Sequence, residues 1–219
     1  MTKSEEDYIK LLYQPSLPNQ GGMKASSIAK FFGYTEQSVH EMIKRLQAKK
    51  LLEFVPYKPI FLTAKGRNLA LTMIRSHRIW EVFLYEKLGY RWDEVHALGE
   101  LLEHINHQGI VERLFQYLKQ PKHCPHGNQI PSLDKADKVD SFTALNHVSV
   151  KSRFTVRRVE DDPELLSFLT SIHIELGTVV HVLHVDAFNE FMQVSVNNQS
   201  FTISFKNASR VYGETVYFV

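Results

Sequence analysis

KASSIAKFFGYTEQSVHEMIKRLQAKKLLEFVPYKPIFLT, residues 24–63, decides the fold of the first third of the chain. Apolar residues recur at helical spacing around Ile28 and again over residues 39–46, with a turn at Gly33 between them. Thr35 is placed to cap the second helix. Apolar residues then alternate on both sides of a Pro-Tyr-Lys-Pro tip, which predicts a β-hairpin. Helix, turn, helix and hairpin in this order indicate a winged helix-turn-helix.

Helical patterns flank this stretch on both sides. Residues 4–14 form an amphipathic pattern that begins with a possible N-cap, Ser4, and has acids in its first turn. Residues 64–119 contain two or three further helices that are rich in large apolar residues. The segment at 121–138 is rich in Pro and breaks the pattern, so we expect it to leave the helical region.

The last third of the chain changes in composition. From Ser149 onward, short β-branched and aromatic runs separated by tight turns, with one helix at 162–174, predict a small barrel of about 70 residues. The expected fold class is mainly α with a small β domain. We expect a winged helix-turn-helix at 1–72, a helical domain at 73–141, a linker at 142–150 and a β domain at 151–219.

Composition narrows the classes of function. The chain has 219 residues, of which 43% are hydrophobic and 23% charged, a balance typical of a globular protein. A single cysteine excludes an intramolecular disulfide and suits a reducing cytoplasm. The polar start and the lack of any apolar run near ~20 residues argue against secretion and against a membrane partner. We therefore expect a cytoplasmic protein.

Basic charge is concentrated at the start of the chain. Residues 1–72 contain eleven Lys and Arg against six Asp and Glu, although the formal net charge of the whole chain is only +2. Short polar side chains at a helix N-terminus suit base edges, and nearby lysines suit phosphates. The alternative is an ordinary solvated face. The candidates for DNA contact are Lys24, Ser26, Ser27, Lys30, Thr35, Glu36, Gln37, Ser38, His40, Glu41, Lys44, Tyr57 and Lys58.

Residues able to bind metal recur at helical spacing in HALGELLEHINH, residues 96–107. Intervals of three and four place them on one helix face, and no Lys or Arg interrupts the run. A solvated face usually mixes basic residues among its acids. The residues concerned are His96, Glu100, Glu103, His104 and His107.

Two further segments carry the same chemistry. SHRIWEVF places His77 and Glu81 at i and i+4, and HCPHG places Cys124 two residues before His126. Each feature alone has a simpler explanation, since such a His/Glu pair is commonly a surface hydrogen bond and a lone cysteine is commonly inert. Their occurrence together, in a chain with a DNA-binding pattern, indicates a metal-binding regulator.

At this point the chain resembles a known family. EEDYIKLLY, SVHEMIKRLQAKKLL, LTAKGRNLA, SHRIWEVFL, VHALGELLEH and CPHGNQIP occur in the order found in the diphtheria toxin repressor and manganese transport regulator family of bacterial metal-dependent repressors. The tail resembles the SH3-like, FeoA-type domain of the longer members. The resemblance implies a winged helix-turn-helix, a helical dimerisation domain and an SH3-like barrel.

The resemblance also implies two metal sites. The first would use Asp7, Glu100, Glu103 and His104. The second would use His77, Glu81, Cys124 and His126 with an acid from the β domain, for which we favour Asp161 over its neighbours Glu160 and Asp162. His96 is a weaker candidate ligand, and His107 is expected to lie at the surface.

Three positions depart from the pattern of other family members, and these departures bear on which metal ion the chain binds. Iron-sensing members place Met and Cys where this chain has Asp7 and Glu100, and hard oxygen donors suit Mn²⁺ better than sulfur donors. Lys10 stands where manganese members often have a second acid, which puts their paired arrangement of two ions in doubt. We expect Mn²⁺, with Fe²⁺ as the alternative, and substitution by Zn²⁺, Cd²⁺, Co²⁺ or Ni²⁺ in vitro.

The expected function is a manganese-dependent, homodimeric repressor of metal-uptake genes that binds a palindromic DNA operator. Metal would fix the two DNA-binding heads at a spacing of about one helical turn, ~34 Å. No organic ligand is expected. Large apolar residues of the central helices could form the dimer interface or the domain's own core. They are Phe83, Leu84, Leu88, Trp92, Leu114 and Phe115.

Three other functions remain open from the sequence. The first is an iron-responsive repressor of the same family. The second is a metallohydrolase that uses the Glu/His cluster to activate water, although the chain lacks the H-E-x-x-H order and a recognisable general base. The third is a winged-helix protein that senses an organic ligand. We expect a regulator and not an enzyme.

Overall fold

The computed structural model describes residues 1–17, 19–105, 109–132 and 141–216. The chain divides into two compact units: residues 1–77, 103–106 and 131–135 form the first, and residues 78–102, 107–130 and 136–219 form the second. His107 and the end of the predicted connecting segment, 133–138, lie outside the described residues.

The first unit begins with helix α1, Lys3–Tyr13. Its N-cap is Thr2 and not Ser4, which lies inside the helix. The Thr2 hydroxyl accepts from the Glu5 N–H at 3.3 Å, and the Glu5 carboxylate accepts from the Thr2 N–H at 3.0 Å. This capping box satisfies two backbone donors that the helix leaves unpaired, which explains why the helix starts two residues early.

The predicted winged helix-turn-helix is confirmed. Helix α2 is Ala25–Phe32 and helix α3 is Glu36–Ala48, with the turn at Gly33, whose φ of 70° favours glycine. The Thr35 hydroxyl caps α3 by accepting from the Ser38 N–H at 3.2 Å. Strands β1, Leu52–Glu53, and β2, Phe61–Leu62, pair antiparallel and form the wing.

A single apolar core holds α1, α2, α3 and the wing together. The side chains that face it are almost fully buried, so it removes much apolar surface from water. Its largest members are Tyr8, Ile9, Leu12, Ile28, Ile43, Leu46, Leu52, Ile60 and Leu62.

Helix α4, Ala64–Leu88, is long enough to contribute residues to both units. The second unit continues with α5, Val95–Leu102, and α6, Ile110–Tyr117. Ile79, Val82 and Leu118 form a small apolar cluster there, against which Phe83, Leu114 and Phe115 pack. Three of the residues predicted for a dimer interface therefore contribute to the core of their own unit.

The predicted small β domain is confirmed as one antiparallel sheet with the strand order β3-β8-β4-β5-β6-β7. Helix α7, Pro163–Ser171, corresponds to the helix expected among the strands, whereas the short β3 and the four-residue helix α8, Phe205–Ala208, were not predicted. The strands are β3, Thr143–Ala144; β4, Arg153–Val159; β5, Val179–Asp186; β6, Phe191–Val196; β7, Gln199–Ser204; and β8, Val211–Val216.

Trp92 follows the second of the two alternatives left open for the large apolar residues, a place in the core. Its side chain is 5% exposed and belongs to the core of the β domain, where the indole N–H donates to Thr170 Oγ1 at 2.8 Å. Leu84 is also buried, whereas Leu88 is 56% exposed. Trp92 is thus an internal contact of the second unit, and Leu88 is the predicted interface residue that the unit leaves most open.

Among the helices of the described residues, we find none that combines the length and apolar character needed to cross a bilayer.

Candidate metal centres and DNA-binding face

Asp7, Glu103 and His104 come together in the first unit and are called the first cluster below. One ligand atom from each lies within 4.8 Å of the others. His104 Nε2 is 3.1 Å from Asp7 Oδ1 and 3.7 Å from Glu103 Oε1. Asp7 comes from the middle of α1, and the other two residues follow α5 in sequence, so distant segments meet here.

Two polar atoms of the first cluster fit a bound cation. Glu103 Oε1 and His104 Nε2 are buried, yet neither makes a hydrogen bond with any residue that the structure describes. A buried polar atom without a partner costs on the order of 1–3 kcal/mol, and more for a charged group. Two carboxylates and one imidazole form a donor set that a hard divalent metal ion would satisfy.

Glu6 orients the imidazole of His104. The Glu6 carboxylate accepts from His104 Nδ1–H at 2.7 Å, so a neutral ring keeps its lone pair on Nε2, the atom that faces Asp7. A hydrogen bond from the far nitrogen to a carboxylate is a common way to fix the tautomer of a metal-binding histidine. Sequence reasoning missed this role, because it interpreted Glu6 only as an acid in the first helical turn.

The other oxygen of Glu103 has two donors. Lys10 Nζ lies 2.6 Å from Glu103 Oε2, and His77 Nδ1 lies 2.7 Å from the same atom. Lys10 Nζ is also 3.4 Å from His77 Nδ1. The two oxygens of this buried carboxylate therefore face different surroundings: Oε2 accepts from cationic and imidazole donors, and Oε1 faces His104.

Glu81, Cys124, His126 and Asp161 form the second cluster, which lies in the second unit. Their ligand atoms also lie within 4.8 Å of one another, and three of the four residues are buried. His126 Nδ1 is 2.9 Å from Asp161 Oδ1, 3.4 Å from Glu81 Oε1 and 3.8 Å from Cys124 Sγ. The far nitrogen, Nε2, donates to the Trp92 carbonyl oxygen at 2.7 Å, which fixes the ring.

A tight loop positions Cys124 and His126 against strand β4. Gly127 N–H donates to the Cys124 carbonyl, and Val159 N–H donates to the His126 carbonyl, each at 2.9 Å. Gly127 has φ 79°, and an added Cβ would lie 2.0 Å from the Arg157 carbonyl oxygen, so only glycine fits. The backbone thus holds the two side chains toward Glu81 and Asp161.

Of the three neighbouring acids considered for this cluster, the structure brings only Asp161 into it. Asp161 Oδ1 accepts from Asn128 Nδ2 at 2.7 Å, in addition to its contact with His126. Glu160 accepts instead from Arg210 and Tyr212, at 2.8 and 3.0 Å. Asp162 caps α7 and accepts from Arg210 Nη2 at 2.8 Å.

Ionisation of the second cluster reflects burial and close contacts. Burial, together with the charge of Glu81, raises the pKa of the Cys124 thiol to about 12. Burial opposes a charge on His126, but hydrogen bonds to Asp161, Cys124 and Glu81 outweigh it and raise the imidazole pKa. Burial and Glu81 oppose ionisation of Asp161, yet its bond to His126 lowers its pKa overall. Without a cation, His126 and Asp161 hold each other in their charged forms.

Three predicted ligands are not grouped with either cluster among the described residues, and their assignment as ligands stays a prediction. His77, expected beside Glu81 in the second site, instead belongs to the first unit and contacts Glu103. Glu100, expected in the first site, belongs to the second unit, where its Oε1 is 3.7 Å from His96 Nε2. His96 Nδ1 is 3.4 Å from Glu81 Oε1, so this histidine borders the second cluster.

The predicted DNA-binding residues form an exposed face of the first unit. A cleft of about 530 Å³ lies between α2, α3 and the wing. Of the candidates, Lys24, Ser26, Glu36, His40, Lys44, Tyr57 and Lys58 line it. Ser27, Lys30, Gln37, Ser38 and Glu41 are exposed but do not line the cleft, and Thr35 serves as the α3 cap.

Two residues show how this face is built. Tyr57 at the wing tip is fully exposed and has φ 65°, whereas His40 on α3 is half-buried against the ring of Phe54, with ring centroids 5.6 Å apart. Tyr57 is therefore free to reach a ligand, and His40 is anchored to the wing.

Three family models match the chain in order. They are "Iron dependent repressor, N-terminal DNA binding domain" over residues 1–60, "Iron dependent repressor, metal binding and dimerisation domain" over residues 63–132, and "FeoA domain" over residues 143–215. The iron-dependent repressor IdeR of Mycobacterium tuberculosis is 30% identical over 182 residues, which cover 77% of this chain and 79% of that protein.

Two solved structures are similar over nearly the whole chain. A manganese-dependent transcriptional repressor in complex with manganese has a TM-score of 0.85 and 29% identity, covering 97% of this chain and 100% of that one. The structure of the manganese regulator SloR has a TM-score of 0.82 and 32% identity, and the match covers 99% of this chain and 100% of SloR. The first cluster draws its residues from the first two family matches, and the second cluster from the last two.

Proposed function

The chain belongs to the iron-dependent repressor family of metal-dependent transcriptional repressors, and we propose that manganese(II) is the metal that activates it. Members of this family are regulators and not enzymes, so the metallohydrolase alternative falls away. The observation that carries the choice of metal is the donor set of the first cluster, which offers two carboxylates and one imidazole and no sulfur.

Hard oxygen donors suit Mn²⁺, but they do not select it by affinity alone. Mn²⁺ binds most weakly of the divalent first-row metals, so geometry and cellular availability must contribute to selection. Similarity supports the same choice, because two structures described as manganese regulators match at least 97% of this chain. Glu100, the fourth ligand expected for this site, stays a prediction.

We assign the first cluster the role of coupling metal to DNA. When bound there, a divalent cation supplies positive charge that offsets the neighbouring carboxylates. Asp7 lies on α1, which shares one core with α2 and α3, so the position of this carboxylate is tied to the DNA-binding face. Because Asp7 and Glu103 repel each other, their juxtaposition with His104 is favoured when a cation is available.

Reciprocity follows from this coupling. If metal favours the arrangement that binds DNA, then bound DNA must tighten metal binding by the same factor. We propose a homodimer on a palindromic operator, with DNA contacts from the residues that line the cleft beside α3, among them Ser26, Lys44 and Lys58. Exposed Leu88 is a candidate for the dimer interface.

The wider biological role follows the family. We propose that the repressor lowers expression of metal-uptake genes when metal is sufficient, and that it acts in the cytoplasm, where bacterial DNA lies. We retain the domains at 1–72 and 73–141 as part of this proposal, whereas the segment expected as a linker, 142–150, contains β3 and belongs with the β domain at 151–219. We assign the second cluster a separate ion, held by Glu81, Cys124, His126 and Asp161.

Iron(II) is the second candidate metal, because IdeR, an iron-dependent repressor, is 30% identical to this chain over most of its length. The deciding experiment is a titration of promoter-DNA binding with Mn²⁺, Fe²⁺ and Zn²⁺ at buffered free concentrations. We expect activation by Mn²⁺ in its physiological range. Activation by Fe²⁺ alone in its own range would replace manganese, and equal binding by chelator-treated protein would contradict a metal-dependent repressor.

A further inference from the structure

The β domain has a cleft of about 410 Å³ on one face of its sheet, and we propose that this cleft binds the phosphate group of a small phosphate ester. The described residues that line it belong to neither metal cluster and to no part of the DNA-binding face. The proposal departs from the expectation, drawn from the sequence, that the chain binds no organic ligand. The lining residues are Arg153, Thr155, Val179, His181, Asn197 and Asn198.

Strand alternation places the floor of the cleft on the side of the sheet opposite the core. Phe154 is fully buried in the core of the β domain, so the residues on either side of it project from the other face. Arg153 lies opposite His181 in the ladder between β4 and β5. Thr155 lies opposite Val179 in the same ladder. Opposed residues have Cβ atoms roughly 4.5–5.5 Å apart, so the guanidinium and the imidazole start from adjacent points on one face.

The turn between β6 and β7 contributes two amide side chains to the cleft. Val196 and Gln199 pair across the hairpin, so Asn197 and Asn198 are the two residues of its loop. Both have positive φ, 51° and 64°, as in a type I′ turn, a conformation that Asn and Gly tolerate best. The turn therefore holds both carboxamide groups beside the cleft, and a ligand does not have to order this backbone when it binds.

The charge of the lining favours an anion. Among the described residues that line the cleft, Arg153 carries a permanent positive charge and none is an acid. With the imidazole neutral, these residues therefore sum to a formal charge of +1. The acid opposite Thr155 on β8 is Glu214, whose carboxylate accepts from Arg157 Nε at 2.9 Å. This neighbouring carboxylate is thus offset by a cation of its own.

The number of donors favours phosphate over carboxylate. The lining offers a guanidinium able to donate two parallel hydrogen bonds, an imidazole N–H, a hydroxyl and two amide groups. A phosphate group has three strong acceptor oxygens and a charge of about −1.5 to −2 at neutral pH, whereas a carboxylate has only two oxygens. The volume lies in the range of small-molecule sites, ~300–1,000 Å³, so an organic remainder fits beside the apolar side chain of Val179.

The test follows the backbone amide shifts of the full-length protein by nuclear magnetic resonance during titration with glycerol 3-phosphate. We expect saturable shifts at residues 153–155, 179–181 and 197–198. Glycerol should cause no such shifts, and inorganic phosphate and glycerate should bind more weakly at the same amides. Metal-free protein and protein loaded with diamagnetic Zn²⁺ should agree. Shifts confined to the Zn²⁺-loaded protein would assign the phosphate to a metal ion and contradict the cleft.

Three variants show whether the binding is local to the cleft. Arg153→Gln should weaken the binding of glycerol 3-phosphate about tenfold or more, since it removes a charged donor to the anion. Asn198→Gly keeps the backbone that the turn needs and should weaken binding by a smaller factor. Lys206→Gln removes an exposed cation from the same domain and should bind as the wild type does.

Three results would overturn the proposal. One is the absence of saturable shifts at the cleft in wild-type protein, a measurement that does not depend on whether a variant folds. Another is an affinity that Arg153→Gln leaves unchanged or that Lys206→Gln lowers equally, as expected for an ordinary solvated face on which each cation contributes alike. The third is binding of glycerate or inorganic phosphate as tight as that of the ester, which would make another anion the ligand.

Discussion

The two clusters differ in the surroundings of the histidine nitrogen that faces the acids. In the first, Glu103 Oε1 and His104 Nε2 are buried without hydrogen bonds among the described residues. In the second, His126 Nδ1 lies within 2.9–3.8 Å of Asp161, Glu81 and Cys124. The first cluster therefore gains directly from a cation, whereas the second must first give up the protons of the imidazole and the thiol.

This difference assigns the clusters different roles. The first shares its unit with the DNA-binding face, so it suits a sensor. The second is largely buried, and its imidazole is already bonded to Asp161, so it suits a structural tie within its unit. Four experiments test this contrast, beginning with the one for which we expect the largest effect.

His104→Ala should abolish metal-dependent DNA binding, with a loss on the order of 100-fold or more, since removing a ligand costs more than the 10–100-fold typical of outer-shell partners. Promoter-DNA binding with and without Mn²⁺ measures this. His147→Ala removes an exposed imidazole from the second unit and should behave as the wild type. Mn²⁺-stimulated binding retained by His104→Ala would contradict the sensor role.

Glu6→Ala should weaken Mn²⁺ binding about 10–100-fold, because His104 loses the carboxylate that fixes its tautomer. Glu6→Gln should weaken Mn²⁺ binding less than Glu6→Ala does, since the amide oxygen can still accept from His104 Nδ1–H. Competition for Mn²⁺ with a fluorescent chelator measures both. Equal affinities for wild type and Glu6→Ala would show that Glu6 does not orient the ligand.

Cys124→Ser should lower the affinity of the second cluster by roughly tenfold or more, at least about 1.4 kcal/mol, since an alcohol does not replace a thiolate ligand. In wild-type protein that affinity should rise with pH, because the Cys124 pKa of about 12 makes metal compete with a proton. Metal counting from pH 6 to 8 checks both. An unchanged count and affinity in the variant would exclude the thiol as a ligand.

Lys49→Met should lower the stability of the first unit by about 1–2 kcal/mol, because it leaves the buried Glu5 carboxylate without its cation. Lys49 is 43% exposed, so the loss stays below that for a fully buried pair. The bond to Lys49 lowers the pKa of Glu5 below its ordinary 4.5. The Glu5–Lys49 pair therefore stabilises the fold above pH 4.5, and this stabilisation is lost as the pH falls through the lowered pKa of Glu5.

Denaturant unfolding between pH 3 and 7 provides the measurement. Lys3→Met is the matched control on the exposed side of α1 and should keep the wild-type pH dependence. If Lys49→Met lost stability on acidification as steeply as the wild type, Glu5 would not be the group responsible. Neither variant touches a metal ligand, so this test separates the stability of the unit from its metal response.

Local signals in the sequence were sufficient for much of the fold. The Thr35 cap and the Gly33 turn act within a few residues, and both are observed as predicted. The sequence also contains the signal for the Thr2 cap, because Thr2 and Glu5 have the spacing of a capping box. The prediction chose Ser4 instead and placed the helix start two residues too late. Such errors arise from choosing between competing local signals.

Tertiary contacts decided the rest. Nothing local distinguishes Asp161 from Glu160 as a ligand, because Arg210 and Tyr212, which hold Glu160, lie 50 residues or more along the chain. Asp162 did carry a signal, since an acid before Pro163 is a typical helix start. The role of Glu6 and the contact of His77 with Glu103 depend on which helix faces meet, which spacing alone does not determine.

The close approach of Gly127 to Arg157 has a consequence for how this protein can be shortened. The loop carrying Cys124 and His126 is joined to β4 by the main-chain bond from Val159 N–H to the His126 carbonyl oxygen, and it leaves no room for a methyl group at Gly127. A chain ending before residue 142 would lose Asp161, uncover Trp92 and leave the loop without its backing strand. The β domain is therefore not a removable accessory, and ancestors or engineered forms without it would need a differently shaped loop at this position.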